Sequence, residues 1–142
     1  MNYAKNKKGF TLVEMLVVIA IIAVLVAIII PTVLSATTKA KAATDAANLR
    51  SVLGEANNAA LLGKGIQSVV DADIEAPPSK TFPDAQLKLL FVYPGFIDVY
   101  YVDGDNYYTL DYFSELAEKG SSEISTAAPS VESNAEWYTF GE

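Results

Sequence analysis

The chain of 142 residues contains no cysteine and no histidine. Without cysteine there is no disulfide, no thiol nucleophile and no thiolate metal ligand. Without histidine the commonest general base, the Ser-His pair and the usual zinc site are missing as well. These absences argue against an enzyme, so no catalytic residue, metal or cofactor is assigned. Positive charge is scarce too: ten Lys and Arg face 17 Asp and Glu, for a formal charge of −7. Such an acidic chain repels a phosphate backbone, and direct nucleic-acid binding is not expected. The length leaves room for one small domain beyond a membrane helix.

Polarity is itself absent from one stretch. Met15 to Ile30 reads MLVVIAIIAVLVAIII, with no polar side chain, and Pro31 interrupts it before Thr32, Val33 and Leu34. As a helix, Phe10 to Leu34 would be roughly 37 Å long, enough to cross ~30 Å of hydrocarbon. Lys5, Lys7 and Lys8 precede it, and no acidic residue stands among the first nine. The positive-inside rule keeps those lysines cytoplasmic and puts everything after the run outside the membrane. Glu14 is the odd residue, because a carboxylate near the start of a spanning helix is costly and reads as functional. A removable secretory signal fits poorly: the run is long for one, and Leu34-Ser35-Ala36 is a poor cleavage site. A plain signal anchor leaves Glu14 and the Gly9-Phe10 pair without a reason. A soluble buried helix would need more cover than so small a domain supplies.

The stretch Lys7-Lys8-Gly9-Phe10-Thr11-Leu12-Val13-Glu14 resembles the prepilin leader and cleavage site of type IV pilins and their pseudopilin relatives. The short leader and aromatic first residue are similar to the type IVa subgroup. The resemblance covers about the first third of the chain. It implies cleavage after Gly9 by a prepilin peptidase and N-methylation of Phe10. It also implies an assembly role for Glu14 and a helix kink at Pro31. Losing residues 1–9 with their three lysines would take the charge from −7 to −10. Many pilins of Gram-negative bacteria close a C-terminal loop with a disulfide. This chain departs from that pattern, which points to a Gram-positive or otherwise disulfide-poor host.

Beyond Pro31, Thr37 to Leu62 is alanine-rich and reads as a soluble continuation of the helix. Leu49, Val52, Leu53, Ala56 and Ala60 recur at three- and four-residue steps and predict one buried stripe. Gly63-Lys64-Gly65 predicts a left-handed cap. Residues 65–84 read as a polar connector with little regular structure, because Pro77, Pro78 and Pro83 forbid a continuous helix. Gln86 to Tyr93, Phe96 to Val102 and Tyr107 to Tyr112 predict three antiparallel strands with one apolar face. A fourth, short strand is expected at Glu136 to Phe140, with a helical turn at Phe113 to Lys119 and a loop at 120–134.

Two further features are weighed. Asp103, Asp105 and Asn106 suit a calcium loop in type but not in number, and read better as a hairpin turn. Six of the eight tyrosines lie between Tyr93 and Tyr112. They suit adhesion to sugars or electron transfer, yet tyrosine is simply a good residue for a half-buried sheet.

The expected fold is α+β and pilin-like, a long N-terminal helix on a small antiparallel sheet. Its parts are a leader (1–9), a transmembrane and polymerising segment (10–34) and an outer head (35–142). The head comprises a helix half (35–62), a connecting loop (63–85) and the sheet with a C-terminal loop (86–142). The resemblance implies a subunit of a type IV pilus-like filament, a fimbrium used in adhesion or motility, first single-pass in the cytoplasmic membrane and then on the cell surface. The implied partners are copies of itself, other pilins, the prepilin peptidase, an assembly ATPase and a platform membrane protein. The alternatives are a pseudopilin of a type II secretion or DNA-uptake system, and a membrane-anchored binding module that never polymerises.

Overall fold

The computed structural model describes residues 9–63, 66–72, 74–92, 96–130 and 135–140. The order of elements is α1 (Leu12–Gly63), α2 (Ile66–Asp71), β1 (Gln86–Val92), β2 (Phe96–Asp103), β3 (Asn106–Tyr108), α3 (Leu110–Lys119) and β4 (Ala135–Thr139). Two compact units divide between them the residues Met1–Ser35 and Ala36–Glu142.

In the first unit, α1 runs without a break through Pro31. Proline has no N–H, so the Ala27 carbonyl loses its helical donor. The neighbouring Thr32 hides its hydroxyl in the helix, donating to the Ile29 carbonyl at 2.8 Å. Every large apolar side chain from Phe10 to Leu34 is exposed in the single chain. An apolar surface of that extent in water is an interaction surface or a membrane surface.

In the second unit, the remainder of α1 lies on a four-stranded antiparallel sheet, an α+β arrangement. The strand order is β3-β2-β1-β4, with β1 paired to both β2 and β4. The last strand therefore returns beside the first. The α1 seam consists of Ala42, Asp45, Ala46, Leu49, Val52 and Ala56, all buried. Steps of three and four residues put these on one helix face. Leu53 and Ala60 of the expected stripe are half-buried at its margin. The sheet answers with Leu87, Leu89, Phe91, Ile97, Val99 and Tyr101, and α3 adds Phe113 and Leu116.

Three expectations need correction. The predicted strand from Tyr107 to Tyr112 stops at Tyr108, and helix α3 begins at Leu110 instead of near Phe113. Thr109 takes an extended conformation (ψ 168°) and its hydroxyl accepts from the Tyr112 amide at 3.1 Å. That side-chain bond satisfies a donor at the helix start, so the chain switches from strand to helix there. The helix ends at Gly120, whose φ of 85° lets its amide reach the Leu116 carbonyl at 2.8 Å. The connector is not wholly irregular, since Ile66–Asp71 forms the short helix α2.

The sheet also has two apolar faces, where one was expected. Leu90, Tyr100 and Val102 are buried on the side away from α1, with Val92, Tyr107 and Ala135 packed on them. The cap expected at Gly63-Lys64-Gly65 falls largely outside the described residues.

The connector is fastened by a residue that composition does not advertise. Asp45 is 0% exposed in the middle of the α1 seam. Its carboxylate accepts from the Ser79 hydroxyl at 2.9 Å, the Lys80 amide at 2.7 Å and the Thr81 amide at 2.8 Å. Nearby, the Tyr101 hydroxyl donates to the Pro77 carbonyl at 2.7 Å. Asp45→Ala removes one acceptor from three donors, and part of that loss is recovered by water at Lys80. The expected destabilisation of residues 36–142 is about 2–4 kcal/mol in chemical denaturation, with Asp45→Asn in between. A loss well under 1 kcal/mol would mean that the connector is held by its apolar contacts alone.

Candidate functional site

The site is the start of α1. Helix formation is dictated from Leu12 onward by the apolar run, which in a membrane satisfies its backbone only within itself. What stops the helix from running further back is a pair of side-chain bonds. Thr11 is the N-cap: its hydroxyl accepts from the Glu14 amide at 3.2 Å, and the Thr11 amide donates to Glu14 Oε2 at 2.7 Å. The first bond of the helix itself runs from the Met15 amide to the Thr11 carbonyl at 3.2 Å. Thr11-Leu12-Val13-Glu14 is thus a reciprocal capping box. The sequence reading of Glu14 as an assembly residue missed this cap, for which the Thr-x-x-Glu spacing is the signal. The carboxylate sits in the first turn, where the helix dipole favours negative charge.

Gly9 and Phe10 lie before the cap and outside the helix. Both are exposed, Phe10 to 79%. A Cβ built on Gly9 would meet nothing within 4 Å, so the protein's own packing does not demand glycine here. Lys5, Lys7 and Lys8 lie outside the described residues. Pro31 belongs to the same helix but stands about 25 Å further along it than Glu14, 17 residues at ~1.5 Å each. The geometry thus joins Thr11 to Glu14, sets Gly9 and Phe10 just ahead of them, and keeps Pro31 apart.

The other candidates are put to structural use. Asp103 and Asn106 close β2 onto β3, with Gly104 at φ 57° as the first central residue of the turn. Primed hairpin turns need that positive φ. Asn106 also accepts from the Thr126 hydroxyl at 2.9 Å, which ties the following loop to the hairpin. Among the described residues no group of three or more Asp or Glu is placed to hold a metal ion.

The tyrosines are divided between the two sheet faces. Tyr101 and Tyr108 are buried against α1 and α3, and Phe82 stacks on Tyr108 at 4.0 Å. On the other face Tyr100, Tyr107 and Trp137 have ring centres 5.6–6.2 Å apart, with Trp137 still 39% exposed. Burial, together with the bond from its hydroxyl to Asp98 at 2.8 Å, pushes the Tyr100 phenol well above its ordinary value. These are contacts of a packed sheet. Tyr93 lies outside the described residues.

Among the described residues one helix, α1, is long and apolar enough to cross a membrane. Residues 4–30 match the family model described as the prokaryotic N-terminal methylation motif. That match spans Gly9, Phe10, Thr11 and Glu14 and the whole apolar run from Met15 to Ile30, and ends one residue short of Pro31. No curated protein and no solved structure matches the chain. That motif, set at the head of a long apolar helix, makes the start of the chain similar to type IV prepilins and supports a prepilin-like protein.

Proposed function

We propose that this protein is the structural subunit of a type IV pilus-like surface filament. It is inserted in the cytoplasmic membrane by residues 10–34 with residues 35–142 outside. A prepilin peptidase removes residues 1–9, cutting between Gly9 and Phe10, and the new Phe10 amino group is methylated. An assembly ATPase and a platform membrane protein then draw the helix out of the bilayer into a stack of like helices. The observation that carries this reading is an apolar helix segment, exposed along its whole length, that opens with the methylation motif. Exchange of lipid contact for helix contact needs such a surface, whereas a mere tether needs no special chemistry at its start.

Glu14 then sets register. Its Oε2 already caps its own helix, but a carboxylate has about four acceptor positions, so it can also take the Phe10 ammonium of a neighbouring subunit. In a lipid-like fibre core, leaving either charge unpaired costs roughly 3–5 kcal/mol. Pro31, which deletes one helical hydrogen bond, supplies a bend for the packed helices. Electron microscopy of filaments sheared from cells, with mass spectrometry of their subunits, tests the proposal. Filaments built of this chain support it; the chain found only in membranes would leave a tethered module.

A further inference from the structure

We infer that Thr11 is a positioning residue for cleavage, because its capping box holds the bond to be cut outside the helix. The inference rests on the proposed processing between Gly9 and Phe10. A peptide bond within a helix is a poor protease substrate: its carbonyl is bonded to the amide four residues on, and the backbone is wrapped by side chains. If α1 continued upstream, the Gly9 carbonyl would receive the Val13 amide and the Phe10 carbonyl the Glu14 amide. The structure diverts that second donor. The Glu14 amide goes to the Thr11 hydroxyl, and the Thr11 amide goes to Glu14 Oε2. Gly9 and Phe10 are accordingly exposed and non-helical, directly ahead of a helix that the apolar run would otherwise extend.

The two side chains divide the work in a way that variants can separate. Thr11→Val keeps the shape and the Glu14 charge but removes the hydroxyl acceptor. Thr11→Ser and Glu14→Gln each preserve the box, since Ser at the N-cap and Gln three residues later make the same bonds. A helix that has swallowed the scissile bond must unwind before it binds, so only the fraction already unwound is competent. The loss therefore belongs in KM, with kcat unchanged, whereas a direct contact made in the transition state would lower kcat.

The test is cleavage of the full-length precursor in detergent by membranes containing a prepilin peptidase. KM for Thr11→Val should rise about fivefold, the factor matching a typical lost N-cap. Thr11→Ser and Glu14→Gln should restore the wild-type KM. In parallel, carbon chemical shifts of Gly9 and Phe10 in micelles should turn helical in Thr11→Val alone. Equal KM for wild type and Thr11→Val, or a fall in kcat at constant KM, overturns the inference while leaving the processing reading intact. A wild-type precursor that is not cut between Gly9 and Phe10 overturns both.

Discussion

Gly9→Val is expected to leave the precursor uncut in the membrane, with mature subunit and filaments both falling to background. The substitution is mild for the protein itself. A Cβ at Gly9 meets nothing within 4 Å, and the residue precedes the Thr11 cap, so neither α1 nor residues 36–142 feel it. A branched side chain instead obstructs the peptidase, which must bring its reacting groups to the carbonyl of Gly9 itself. Immunoblots of membrane fractions read the result directly, as a band of precursor length at wild-type abundance. Normal processing of Gly9→Val would show that the cut lies elsewhere. A vanished protein would show that Gly9 matters to the fold, against its open surroundings.

The second large effect is expected at Glu14. Glu14→Ala should be inserted and cleaved, yet filament yield should fall sharply relative to subunit in the membrane. Two things are lost at once: half of the capping box and the negative charge. Glu14→Gln separates them, since an amide caps the helix equally well but offers no charge to a neighbouring ammonium. The account expects Glu14→Gln to assemble nearly as poorly as Glu14→Ala, and Glu14→Asp to fall between alanine and wild type because it reaches less far. Normal filaments from Glu14→Gln would reduce Glu14 to a helix cap. If the chain were only tethered, all three substitutions would leave its surface abundance unchanged or raise it, because each removes or shortens an awkward carboxylate.

The long apolar segment at the start of α1 was plain in the sequence. An uninterrupted apolar run with lysines on one side needs no tertiary information to be read, and the Gly-Phe-Thr-x-x-Glu spacing lies within six residues. The seam of α1 was legible for a similar reason, because Leu49, Val52 and Ala56 repeat at helical spacing and all of them are buried. Asp45 was missed, since an acid in an alanine-rich, lysine-bearing helix looks like a solvated residue. Only its place four residues before Leu49 marked it as inward, and its partners at Ser79, Lys80 and Thr81 are more than 30 residues away.

The error at Tyr107 to Tyr112 has a different source. Tyr108, Leu110 and Tyr112 alternate as a strand would, and all three do pack on the core. Yet Phe113 and Leu116 continue the same face at helical spacing, and the Thr109 cap decides in favour of the helix. The return of β4 beside β1 was out of reach, because strand order depends on contacts between segments some 45 residues apart. The second apolar face was hidden by the tyrosines, whose rings look like surface until Trp137 is set beside them.

Intact-mass analysis of the subunit in sheared filaments tests the central claim most directly. The expected chain begins at Phe10 and carries one methyl group on its amino terminus. A chain that keeps Met1, or one that starts near Thr37 beyond the apolar run, would contradict it.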